Sequence, residues 1–101
     1  MASRLDLHRK LVELLGSDNV YYQPPESVKM SYPAIRYSLK DIEKRSANDT
    51  SYIKTRRYEI TVIDTKPDHA VIDKILSLPM SDYDRHYVSD NLNHDILTLY
   101  Y

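Results

Sequence analysis

Two arginines beside a tyrosine, Arg56-Arg57-Tyr58, and two later histidines, His86 and His94, are the residues of this chain best suited to chemistry. Gathered on one sheet they could hold a phosphate and move protons, the work of a small toxin-type endoribonuclease. Such an enzyme needs a positive surface for RNA, whereas the formal net charge here is -1 and the pI about 6.4. A metal is the second possibility, with His86, Asp90, His94 and Asp95 as ligands. Their spacing matches no standard ligand motif, and His94-Asp95 is more simply a turn that bonds its own backbone. The chain has no Cys, which removes thiol chemistry and disulfides, and a single Gly, which rules out a glycine-rich phosphate loop. No catalytic residue, metal or other cofactor is expected.

The elements that must position these residues follow from patterning. At 101 residues the chain is one domain, 1–101, large enough for a single core but small for a deep, walled active site. A helix is predicted over residues 3–15. Ser3 and Asp6 have capping spacing, Gly16 sits where a left-handed C-terminal cap is wanted, and Leu5, Leu7, Leu11, Val12, Leu14 and Leu15 form its apolar arc. His8 falls inside that arc and reads as a hydrogen-bonded boundary residue. A short strand over residues 20–23 runs into Pro24-Pro25 and a loop.

Two longer strands follow, over residues 32–39 and 52–64. Ile35, Tyr37 and Leu39 share one face of the first, with Ala34, Arg36 and Ser38 opposite. Tyr58, Ile60 and Val62 share one face of the second, with Arg57, Glu59 and Thr61 opposite. The polar stretch 40–51 between them reads as a loop with Asn48-Asp49 as its turn, the charged tip of a long hairpin. A second helix is predicted to open at Lys66-Pro67-Asp68 and end at Pro79, with Val71, Ile72, Ile75, Leu76 and Leu78 on its buried stripe. A closing hairpin then joins residues 82–88 to 94–101 through a turn at 89–93. The sum is an α+β fold, order α-β-β-β-α-β-β, with a mostly antiparallel sheet packed on two helices.

The last strand, Asp95-Ile96-Leu97-Thr98-Leu99-Tyr100-Tyr101, is too apolar to stand as a free edge, so it must lie inside a sheet or under another subunit. Aromatic usage points the same way. All ten aromatic residues are Tyr, whose apolar ring and polar tip suit half-buried faces and subunit contacts. With no signal-like segment, no membrane-length apolar run and no Cys, a soluble cytoplasmic protein is expected.

Charge is divided along the chain. Residues 40–57 carry Lys40, Lys44, Arg45, Lys54, Arg56 and Arg57 against Asp41, Glu43 and Asp49, whereas residues 82–101 carry Asp82, Asp84, Asp90 and Asp95 against Arg85 alone. Opposite charge on separate surfaces suits head-to-tail packing around a ring, and the same pattern is also compatible with two ordinary solvated hairpins.

An N-terminal helix followed by Val20-Tyr21-Tyr22-Gln23-Pro24-Pro25, Tyr32-Pro33-Ala34-Ile35-Arg36-Tyr37, a strand ending Val62-Ile63-Asp64, and Asn91-Leu92-Asn93-His94-Asp95 before the last strand resembles the small neck and tail-completion proteins of tailed bacteriophages. These include tail terminators and tail-to-head joining proteins. The resemblance implies a structural protein, not an enzyme, that forms a ring, typically hexameric, capping the tail tube and docking on the head connector. Its partners would be further copies of itself, the tail tube protein and the head connector or stopper protein. DNA would only pass through the lumen, no membrane would be involved, and the protein would end in the virion neck of a phage, prophage or phage-derived tail particle after assembly in the host cytoplasm. Residues 40, 44, 45, 49, 54, 56, 57, 82, 84, 90 and 95 are the charged positions expected at the ring contacts. A generic adaptor that adds a strand to its partner through the C-terminal edge, and stays monomeric until it does so, is the other non-enzymatic possibility.

Overall fold

Gly16 ends the first helix as its position predicts, with φ at 77° and its N–H donating to Val12 O at 2.8 Å. In the computed structural model, which describes residues 4–25, 29–47, 51–67 and 69–101 and the side chains of those outside 43–54, this helix is α1, Arg4–Leu15. Strands β1 (Val20–Tyr22), β2 (Ala34–Ala47) and β3 (Ser51–Asp64), helix α2 (Val71–Leu76) and strands β4 (Ser81–Ser89) and β5 (Leu92–Tyr100) follow. The order is α-β-β-β-α-β-β, an α+β fold as expected. One five-stranded sheet runs β1-β2-β3-β5-β4, with only the β1–β2 pair parallel. Among the described residues no helix is long and apolar enough to cross a membrane.

Both helices pack on one face of the sheet. The core joins Leu7 and Leu11 of α1, Val71 and Ile75 of α2, and Val20, Ile35, Tyr37, Tyr58, Ile60, Val62, Leu97 and Leu99 from four strands. Every strand residue in that set lies on one face by register: Ile35 opposes Val62, Tyr37 opposes Ile60, Ile60 opposes Leu97 and Tyr58 opposes Leu99. Leu97 and Leu99 therefore point to the core, and the last strand is interior, between β3 and β4. That is the arrangement its apolar sequence requires. His8, at the margin of α1, is hydrogen-bonded as a boundary histidine would be, with Nδ1 2.7 Å from the Tyr37 hydroxyl.

Several expectations need correction. Residues 40–47 and Ser51 are strand, not loop. A bulge skips Lys40 between the pairs Leu39–Tyr58 and Asp41–Arg57, so the alternation of side chains changes phase there, and the period-2 signal breaks although the strand continues. The turn expected at Asn48-Asp49 lies outside the described residues, as do Ser3 and Asp68. Helix α2 starts at Val71, later than Pro67 suggests. The His69 ring accepts the Val71 N–H at 3.0 Å and so occupies a donor that a longer helix would leave to its backbone. Leu5 and Leu76 are exposed, outside the apolar arcs that pack. The closing turn is two residues, not five: Asp90 and Asn91 take φ of 52° and 62°, the left-handed pair of a tight type I′ hairpin.

The second face of the sheet is less polar than the alternation implies. Ala34, Thr61, Ile63 and Ile96 are buried on it. Pro24, Pro25, Met30 and Tyr32, from the segment between β1 and β2, form one wall of a groove over Ile63, Leu92 and His94.

Candidate assembly surface

Beyond the bulge at Lys40 the β2–β3 hairpin leaves the body of the sheet. β1 pairs with β2 at Val20–Ile35 through Tyr22–Tyr37, and β5 pairs with β3 as far as Arg57–Tyr100, so residues 40–47 and 51–55 form a two-stranded arm with no further strand on either side among the described residues. Fourteen-residue strands are about 46 Å long at the usual rise, and they set the long dimension of the molecule, 51 Å against 26 and 23 Å. The base of the arm is held by charge. Lys40 Nζ lies 3.1 Å from Glu59 Oε2, and Arg57 Nη2 lies 2.9 Å from Asp41 Oδ2. These pairs are half-exposed and contribute at most about 1 kcal/mol each, so they orient the arm more than they stabilise the fold. The Nε of Arg57 is buried with no hydrogen-bond partner. Arg56 pairs across the arm with Ile42, which is exposed. Lys44, Arg45 and Lys54 lie in the arm strands with side chains outside the described residues, and Asp49 lies outside them altogether.

The acidic surface sits on β4, one of the two sheet edges and separated from β3 by β5; eight of its nine residues are exposed. Asp82 lies opposite Thr98, Asp84 is skipped by a second bulge between the pairs Tyr83–Leu97 and Arg85–Ile96, and Asp90 is in the closing turn.

Asp95 does not belong to this surface. It is only 6% exposed, and its Oδ1 accepts from the Tyr83 hydroxyl at 2.6 Å and lies 2.9 Å from His86 Nδ1. The register explains this: Asp95 shares the helix-side face with Leu97, Leu99 and Val62, where a carboxylate must find partners or lose its hydration uncompensated. Tyr83 and His86, both on β4, supply them, which ties the edge strand to its neighbour.

The residues considered for catalysis are dispersed. Tyr58 points into the core. Arg57 and His94 share the opposite face, but β3 pairs with His94 at Ile63, six residues from Arg57 and so about 20 Å along the strand. His94 stacks on Tyr87, ring centroids 4.5 Å apart and planes at 9°, with the Arg85 guanidinium 5.8 Å from the Tyr87 ring, and its Nδ1 lies 3.1 Å from Leu92 O. His86 faces the other way, toward Asp95. Among the described residues no three His, Cys, Asp or Glu side chains gather where they could hold a metal.

Charge counting alone misses what lies between the acidic residues. Tyr83, Tyr87 and Val88 are exposed apolar side chains along β4, Val88 at 62%, with exposed Met80 just before it. The signal was present in the sequence, since a nine-residue strand with Tyr, Tyr and Val on it is more apolar than a solvated edge needs to be. The described sheet ends at β1 and β4, and the C-terminal strand is paired on both sides, so it is not the edge that an adaptor would offer.

Two open grooves lie on the face away from the helices. One, of about 400 Å³, is lined by Gln23, Pro24, Arg36, Ser38, Glu59 and Thr61. The other, of about 310 Å³, brings Arg36 near Tyr32, Asp90 and His94. Neither a protein-family model nor a curated protein matches this sequence.

Proposed function

We propose that the protein is a structural subunit of a ring, of the kind that caps a phage tail tube and joins it to the head connector. The observation that carries this is the arm. The domain extends residues 40–47 and 51–55 as a two-stranded ribbon that is net positive in sequence over 40–57 and leaves the sheet with β5 between its base and an exposed acidic edge. A pair of isolated strands is marginal in water, so such an arm is best accounted for by a surface that receives it. Two different, complementary patches on one chain generate a heterologous contact, which forms a ring where the rotation between copies closes.

The element order, the interior last strand and the tyrosine-rich surface are compatible with that role. The resemblance to neck and tail-completion proteins supplies the identity of the partners: further copies, the tail tube protein and the head connector protein. No residue is assigned a catalytic role.

The test is the mass and shape of the full chain in solution and in particles. Native mass spectrometry and negative-stain microscopy of the purified chain, alone and bound to isolated tail tubes, should show a closed ring of several 11.9-kDa copies at one end of the tube. A cap stops a tube from growing, so particles assembled without this chain should carry tubes of unregulated length. A chain that stays monomeric in both settings and labels no tube end would overturn the proposal.

A further inference from the structure

We infer, on the premise of the ring proposed above, that the outer edge of β4 receives the arm of the next copy strand to strand, through the outer edge of β2 at residues 40–47.

Backbone geometry comes first. β4 offers nine consecutive residues at the end of the sheet, and among the described residues no strand lies outside it. β2 offers eight, because β1 and the Gln23 side chain, which accepts the Leu39 N–H at 3.3 Å, occupy its outer side only up to Leu39. The two free lengths match to within a residue, about 26–30 Å each. Each edge presents backbone that no described strand covers; β4 carries no Pro or Lys, and the bulge at Asp84 is the one break in its regular edge.

Charge then selects the occupant. β4 and its turn carry Asp82, Asp84 and Asp90 against Arg85, so two copies of this edge side by side would bring like charge together. The arm, with six basic residues against three acidic over 40–57, is the complement. Apolar area favours the same pairing. Ile42 on the arm is 49% exposed, and Tyr83 and Val88 on β4 are 44% and 62% exposed in the single chain. A strand added at β4 would cover both of the β4 side chains. Backbone pairing would supply affinity and these side chains the register, as in other strand-addition complexes.

The absence of Cys makes the test direct. Ile42→Cys is placed in one batch of the full-length chain, and single Cys substitutions at Asp82, Asp84, Arg85 and Tyr87 in others, to scan the unknown register. Each is mixed with the first under mild oxidation. At least one mixture should give an Ile42→Cys to β4 cross-link, since opposed strands bring Cα atoms within disulfide range. A chain carrying both substitutions should then form a ladder of linked species ending at the ring number. Rings that assemble normally but give no arm-to-β4 link would overturn this inference and leave the ring standing. Links only between two β4 strands would overturn it in favour of a two-fold pair. A chain that forms no assembly at all would remove the ring and the strand exchange together.

Discussion

The hydroxyl of Tyr37 and the ring of His8 meet 2.7 Å apart, joining the interior strand β2 to helix α1. Arg4 reaches the same hydroxyl at 3.3 Å and lies over the Tyr22 ring at 4.4 Å from its centroid. One buried phenol thus anchors the first helix by two polar contacts inside an aromatic group. Tyr37→Phe should keep the packing and leave His8 and Arg4 unsatisfied at that point, lowering stability by about 1–3 kcal/mol in urea unfolding. His8→Ala should cost less in the Tyr37→Phe background than in the native one. Equal costs in both would show that the two residues are not coupled.

The same burial has a pH consequence. Desolvation pushes the Tyr37 hydroxyl above its ordinary value of 10.0, partly offset by Arg4, and desolvation likewise raises Tyr58. A raised folded-state pKa means that the folded chain holds its proton where the unfolded chain has released it. The stabilisation is therefore complete below about pH 10 and is lost as pH rises through the folded values. Unfolding free energy should fall with pH above 10, and the fall should be shallower in Tyr58→Phe than in the native chain. Identical slopes would place that phenol outside the transition.

The last strand gives a sharper test of the core. Leu99 is 1% exposed and lies opposite Tyr58, and Leu97 is fully buried opposite Ile60. Leu99→Ala should cost about 2–5 kcal/mol, a large part of a small domain's stability, and Leu99→Asp should abolish soluble expression. An unchanged melting temperature in either variant is incompatible with an interior β5.

How much of this was legible beforehand depended on whether one local rule governed the residue. Tyr58, Ile60 and Val62, or Leu7 and Leu11, sit on uninterrupted periods, and their burial follows from the pattern alone. The arm is hidden in the sequence because the bulge at Lys40 shifts the phase of the alternation while the strand continues. The pattern starts helix α2 near Pro67 because proline suits a first helical turn as well as a loop, and the His69 ring at the Val71 N–H marks where the helix begins. Charge alone groups Asp95 with the acidic surface because it says nothing about face. The parity of Asp95 with Leu97 and Leu99 does, and that parity is available in the sequence.

The hairpin turn offers a small, local check. Asn91 has φ of 62°, a region that Asn tolerates and β-branched residues do not. Asn91→Gly should be neutral or mildly stabilising, whereas Asn91→Val should cost about 1–2 kcal/mol and loosen the pairing of Ser89 with Leu92. Amide exchange at Val88 and Ser89 reads the effect directly. Equal protection in the two variants would mean that the turn does not set the register.

The arm predicts a salt dependence of opposite sign to ordinary screening of a native attraction. Replacing both Arg56 and Arg57 by Glu makes the base of the arm acidic and removes the Arg57–Asp41 pair, which is half-exposed and worth at most about 1 kcal/mol. The isolated domain should therefore melt within a few degrees of the native chain. Assembly should be weakened, because an acidic arm now approaches acidic β4. The new repulsion is strongest where screening is weakest, so the defect should deepen at 10 mM salt, where the screening length is about 30 Å, and ease near 1 M, where it is about 3 Å. The native chain should show the reverse trend, assembling faster as salt is lowered. The measurements are ring formation by light scattering across that salt range and a thermal melt of the subunit. Undiminished assembly of the reversed variant would take these arginines out of the interface, and a collapsed melt would assign them to the fold.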